Sequence, residues 1–234
     1  MGVVSALFVI LLSASGLILH QGQFLGLGSS FVNSPGMLAW YGIEVPRLTL
    51  SFASGSHRAS LIADAIYFDT DRLPGSYSFL AGLVPTEFGY ALATDDQILL
   101  LTQEGELIEV LGAVHGSPRG IESIGRDDSQ GKPLIYLRSN AAVVQADLNA
   151  LTWTDSAAPE SQIQWASSSS ATSALIETIR KDYGGSLLSW ERLVLDVHSG
   201  RFLGGLGVVL VDIMAILFLL MAITGVWIWS RRRS

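Results

Sequence analysis

The chain has 234 residues, a net charge of −7 at neutral pH, no cysteine and a mean hydropathy of +0.42. Without cysteine there are no disulfides, no Fe–S clusters and no covalently attached c-type haem, which needs a C-x-x-C-H run. The acidic balance argues against a nucleic-acid partner, whose phosphates select basic surfaces.

The first element, residues 1–19, is the uncharged run GVVSALFVILLSASGLIL, just long enough to cross a hydrocarbon core as a helix. It lacks the basic flank of a secretory signal, and its apolar stretch continues past the small residues Ser13 to Gly16. It therefore reads as a retained anchor, and the missing basic flank leads us to expect a cytoplasmic leader ahead of it. Residues 20–46 are rich in Gly, Ser and Asn, with Pro35 as a helix breaker, and read as a linker along the membrane surface. Trp40 and Tyr41 are expected to pack at its end.

Residues 47–166 carry a strand-like pattern. RLTLSF, SLIADAIYF, GYALAT, QILLLT, ELIEVLG, PLIYLRS and AAVVQADL are short β-branched or alternating runs separated by turn signals such as Leu73-Pro74-Gly75, Thr94-Asp95-Asp96 and Ser139-Asn140. The spacing predicts a mainly β extracytoplasmic domain, an antiparallel meander closed as a small sandwich or barrel-like sheet. GYALATDDQILLLTQEGELIEVLG reads as three strands and two tight turns, and PLIYLRSNAAVVQADLNALTWT resembles it weakly. Such units also build propeller blades, but a segment of this length cannot close a ring.

Residues 167–201 form a juxtamembrane segment: a serine-rich break, Ser167 to Ser170, a short helix over TSALIETIRKDYGG, and a second over SLLSWERLVLDVHSG. In the latter, Leu187, Leu188, Leu193, Val194 and Val197 make an apolar stripe opposite Glu191, Arg192 and Asp196, which predicts an amphipathic interfacial helix. Residues 202–229 are the strongest signal. From Leu203 to Trp229 the only ionisable side chain is Asp212, and Trp227 and Trp229 lie at the interfacial end. Arg231, Arg232 and Arg233, in the tail 230–234, mark that side as cytoplasmic. Both termini are then cytoplasmic and the bulk of the chain periplasmic. Without Asp212 and the three tail arginines, 11 basic residues face 20 acidic ones, a charge near −9.

Several residues are candidates for specific roles. An aspartate in a membrane span costs about 2.5–3.5 kcal/mol on insertion scales, so Asp212 should face a partner. A hydrogen-bonded carboxyl that locks its helix to Ser13 or Ser15, or to another subunit, is the simpler role. A proton relay needs further intramembrane polar groups, and only serines and Thr224 are present. Gly200, Gly204 and Gly207 offer close backbone approach, with the face of Ser13 and Gly16 as natural partner. His20 and His198 fall at the outer boundary, and two facing imidazoles are what a b-type haem requires. Interfacial histidines also cap helix ends, so no resident cofactor is expected. His57 and His115 lack zinc spacing, and Asp69, Asp71, Asp127 and Asp128 lack a full calcium-loop pattern. No nucleophile elbow, P-loop or dinucleotide fingerprint occurs, and no catalytic residue is assigned.

The run W-E-R-L-V-L-D-V-H-S-G-R-F-L-G, then G-x-x-L-V-D, then A-I-T-G-V-W-I-W-S-R-R-R closely resembles the C-terminal signature of PepSY-associated transmembrane proteins. S-A-S-G-L-I-L before H-Q-G-Q-F-L-G-L-G, and M-L-A-W-Y-G-I, resemble that family's first helix and exit segment. The likeness is to the short, two-helix branch. It departs from the family where a basic flank with an H-R-W-x-G motif normally precedes the first helix, and where the exit carries His20-Gln21 in place of an Asn-His pair. The resemblance implies a bacterial inner-membrane anchor with an extracytoplasmic domain. The function expected from it is an accessory subunit of a larger integral membrane complex, preferably a respiratory or electron-transfer assembly. Its partners would be that complex, the lipid bilayer and a soluble periplasmic protein. A haem-b-dependent ferric or siderophore reductase and a peptidase-regulating membrane module are the alternatives.

Overall fold

The computed structural model describes residues 2–129, 132–140, 142–156 and 158–232. The chain divides into two compact units: residues 45–183, and residues 1–44 together with 184–234.

The first unit is built from three antiparallel meanders. Strands β1 (Leu48–Ser54), β2 (His57–Ile62), β3 (Ala65–Phe68) and β4 (Asp71–Arg72) form one sheet in chain order. Strands β5 (Gly82–Pro85), β6 (Tyr90–Ala93), β7 (Ile98–Leu101) and β8 (Leu107–Leu111) form a second. The third has the order β12-β11-β10-β9-β13, from β9 (Ile121–Asp127), β10 (Leu134–Ser139), β11 (Ala142–Asp147), β12 (Thr152–Asp155) and β13 (Gln164–Trp165). The predicted mainly β, antiparallel character holds, with a short helical part and two long apolar helices at the ends. The strands are distributed over three small sheets.

The sequence of the second sheet explains why it is central. Its strands GLVP, YALA and ILLL are apolar at nearly every position, because both of their faces are covered. Leu83, Leu92, Leu99 and Leu101 join Phe52, Leu61, Ile66 and Phe68 of the first sheet in one core. Val84, Ala91, Ala93, Ile98 and Leu111 join Ile121, Ile124, Ile135 and Leu137 of the third in another. Side chains alternate across a strand, so a sheet that separates two cores must be apolar at odd and even positions alike. The weak repeat follows the same logic: β6-β7-β8 and β10-β11-β12 are equivalent three-strand meanders.

Helix α3, Ser173–Gly184, belongs largely to this unit. The Tyr67 hydroxyl donates to Asp182 Oδ2 at 2.8 Å, and the Tyr183 hydroxyl donates to Asp64 Oδ1 at 3.0 Å. The bond from Tyr183, helped by Ser76, holds the Asp64 carboxyl below its usual range. Burial, together with the adjacent Asp182 carboxylate, pushes the Tyr67 phenol up.

The second unit contains α1 (Gly2–His20), α2 (Pro35–Trp40), α4 (Trp190–His198) and α5 (Gly204–Arg232), with a 3-10 turn at Arg201–Leu203 between the last two. Pro35 departs from the expected role. It occupies the first turn of α2, where its missing N–H would have no intrahelical partner in any case, so it starts a helix rather than breaking one. The segment read as an open linker is tied down by backbone bonds: Val32 N–H donates to the Leu188 carbonyl, Trp190 N–H to Ser30 and Glu191 N–H to Leu27. α4 begins with Ser189 as its N-cap, whose side chain accepts from Arg192 N–H.

Candidate functional site

Among the described residues, α1 and α5 are the two helices long and apolar enough to cross a membrane, and most of their side chains are exposed, unlike the core helices of a soluble protein. α5 has 29 residues and spans about 44 Å at 1.5 Å per residue. Trp227 and Trp229 are exposed near its end, and the Arg231 guanidinium lies 4.3 Å from the Trp227 ring centroid. Arg232 is exposed beside them, while Arg233 lies outside the described residues.

α1 packs against α4. At that contact Ser15, one of only a few buried side chains of the two long helices, lies 2.8 Å from His198 Nδ1 through its Oγ. Ser15 Oγ also donates to the Leu11 carbonyl at 2.7 Å. A Cβ at Gly16 would be 3.4 Å from His198 Cε1, an ordinary van der Waals contact, so the imidazole lies close against this face of α1. Ser13, two residues from the buried position, is exposed. His20 is exposed at the last turn of α1. A bis-histidine haem needs an apolar slot between the rings. Here His198 Nδ1 meets Ser15 at the α1–α4 contact, and His20 stands exposed at the end of α1. Among the described residues there is no group of three or more His, Cys, Asp or Glu side chains placed to hold a metal ion.

The glycines meet each other at the corner between α4 and α5. Gly200 has φ +77°, a left-handed conformation that side chains rarely adopt, and a Cβ at Gly207 would collide with the Gly200 carbonyl oxygen. Gly204 has φ +71° with open space around it, and Gly205 also faces open space. Gly200 and Gly207 thus let the chain fold tightly back from one helix into the next.

Near the same corner, Trp40 Nε1 donates to the Phe202 carbonyl at 3.1 Å and its ring stacks on Phe202 at 5.6 Å. Tyr41 is beside Asp196. Burial, and after it the Asp196 carboxylate, push the Tyr41 phenol up to about 12, with Arg192 opposing. Asp196, placed by its spacing on the polar face of α4, is in fact buried, with Tyr41, the residue that caps α2, as a polar neighbour that a helical wheel of α4 alone does not show.

Asp212 is different. It is exposed on α5, two turns past Gly204, and makes no hydrogen bond or ion pair with any described residue. Neither Ser13 nor Ser15 reaches it: Ser15 is committed to His198 and Leu11. An apolar 29-residue helix thus carries one carboxyl for which the described residues offer no partner.

The β-sheet domain carries its own polar clusters. His57 Nδ1 lies 2.7 Å from Asp69 Oδ2, and Asp69 also accepts from Arg58 N–H at 2.8 Å. The His57 ring stacks on Phe68 at 5.2 Å and meets Tyr90 edge-on at 5.2 Å. No hydroxyl or thiol nucleophile is bonded to this imidazole among the described residues, so the pair fixes the β2–β3 hairpin rather than forming a triad.

Two long apolar helices flanking a three-sheet domain define a membrane-anchored β protein with two spans. Its family is settled by sequence: residues 89–234 match the PepSY-associated TM region, more than half of the chain, and the protein belongs to that family. Neither the curated proteins nor the solved structures give a match.

Proposed function

We propose that this protein is an accessory subunit of a larger bacterial inner-membrane complex. It packs onto that complex through its two helices and holds the β-sheet domain on the periplasmic face, where the domain covers the complex or docks a soluble partner. A respiratory or electron-transfer assembly is the preferred host, by analogy with redox-active relatives. The arginine tail supports cytoplasmic termini by the positive-inside rule.

The observation that carries this reading is Asp212. A carboxyl in lipid at this depth costs about 2.5–3.5 kcal/mol, and no described residue of the chain offsets it. A polar group from another membrane helix is the simplest compensation. Extraction from native membranes in mild detergent, followed by a native gel, tests the reading. The wild-type chain is expected to migrate with a much larger assembly. Asp212→Leu is expected to leave that assembly at least tenfold more readily, whereas Asp212→Asn, which keeps hydrogen-bonding atoms, stays largely associated. Migration of the wild-type chain by itself would refute the subunit role.

A further inference from the structure

The β-sheet domain of this acidic protein contains a cleft of about 550 Å³ lined by Arg47, Thr49, Ser168, Ser169, Ser170 and Arg180, among others, and by no carboxylate. The cleft joins β1, the serine-rich segment and one face of α3. Arg180 Nη2 donates to the Val45 carbonyl at 3.3 Å, but its Nε is buried and has no hydrogen-bond partner among the described residues. A buried donor left unpaired is costly, and native structures rarely tolerate one without a reason. Arg47 is exposed and has no ion pair with a described residue. Two guanidinium groups without acidic partners therefore share one concavity in a chain whose net charge is −7.

The rim is held in place rather than left loose. Arg58 Nη1 donates to Ser51 Oγ at 3.1 Å, to the Ser169 carbonyl at 3.0 Å and to Ser169 Oγ at 2.8 Å. Ser169 N–H donates to the Ser51 carbonyl at 2.8 Å, and Ser168 bridges to Phe52. Arg58 is thus a positioning residue that fixes the serine-rich segment as a wall. Such fixing of donors before a ligand arrives lowers the cost of binding.

From this arrangement we infer that the cleft binds a phosphate group through Arg47 and Arg180, with the hydroxyls of Thr49 and Ser168 to Ser170 as further donors. The donor set selects the chemistry. A carboxylate offers two oxygens in a plane and is satisfied by a single guanidinium fork. A phosphate presents several oxygens in a tetrahedron and can engage two forks and hydroxyls together. The phosphate is carried either by a lipid headgroup or by a soluble phosphoryl compound, and the cleft is larger than a phosphate group alone fills.

Titration of the full-length protein in uncharged detergent with inorganic phosphate, read by calorimetry against a chloride control, tests the assignment. Saturable binding is expected, weakened at least tenfold in Arg47→Gln/Arg180→Gln. Because Arg180 also holds the Val45 carbonyl, Arg47→Gln alone is the second variant. It should weaken binding severalfold while leaving the phosphate-free unfolding midpoint unchanged. Reconstitution into nanodiscs of phosphatidylcholine, with or without phosphatidic acid, separates the sources. Loss of inorganic phosphate binding only in the acidic discs identifies the headgroup, and equal binding in both identifies a soluble compound. No saturable phosphate binding by the wild type, or equal binding by wild type and Arg47→Gln, would overturn the inference.

Discussion

Phe68→Ala is expected to destabilise the β-sheet domain by about 3–5 kcal/mol, the range for removing a buried aromatic side chain. Phe68 is 1% exposed and lies in the core shared by the first two sheets. Its ring is stacked by His57 and tilted against Tyr90 at 5.3 Å. The turn at Gly105 rests on it so closely that a Cβ there would overlap the ring. These neighbours belong to both sheets and are themselves held by strand pairing, so the space left by the ring cannot readily close. A loss of this size removes a large share of the 5–15 kcal/mol by which domains are stable. Denaturant unfolding followed by tryptophan fluorescence will measure it, since Trp153 and Trp165 report on this unit. Phe68→Leu should cost clearly less. A cost under about 1 kcal/mol for Phe68→Ala would show that the two sheets do not share a fixed core at this point.

Gly207→Leu is expected to be the most damaging change in the membrane-proximal unit. The Gly200 carbonyl and the Leu203 Cβ occupy the place of any new side chain. Relief by movement of Gly200 is blocked, because Gly200 is itself left-handed and a Cβ there would press on the Gly207 carbonyl and Val211. Overpacking of this kind costs about 1–3 kcal/mol and sometimes more. Gly205→Leu is the matched control: it adds the same side chain two residues away, into open space. The midpoint of heat-induced loss of the monodisperse detergent-solubilised peak should fall by several degrees for Gly207→Leu and change little for Gly205→Leu. Equal behaviour of the two would mean that the corner between α4 and α5 is looser than its backbone contacts require.

Legibility in the sequence is physically uneven. The apolar runs of α1 and α5 are long-range signals in composition, and they are read directly. The strands are legible one by one because turn residues such as Asn140, with φ +49°, and Leu73-Pro74-Gly75 punctuate them. Their division into three sheets is not, because a strand such as ILLL is apolar on both faces and its pattern does not name its neighbours. Pro35 shows the limit of a breaker rule, since the same ring that ends a helix also fits its first turn. His198 was legible as a boundary residue, but its bond to Ser15 spans 183 positions of sequence. Arg47 and Arg180 are likewise far apart in the chain, and nothing local to either announces a shared cleft. Asp212 is the reverse case. Its cost in a membrane is evident from one residue type in one setting, and the structure adds that the described residues offer it no partner.

The reading rests on sidedness: α1 and α5 hold the β-sheet domain across the membrane from the arginine tail. The absence of native cysteine makes this directly measurable. Single cysteines placed at Gln103, exposed in the β7–β8 turn, and at Ser230, beside the arginines, can be challenged in spheroplasts with a membrane-impermeant maleimide. The account predicts that Gln103→Cys is labelled at once and Ser230→Cys only after the membrane is permeabilised. Prompt labelling of Ser230→Cys with protection of Gln103→Cys would contradict it.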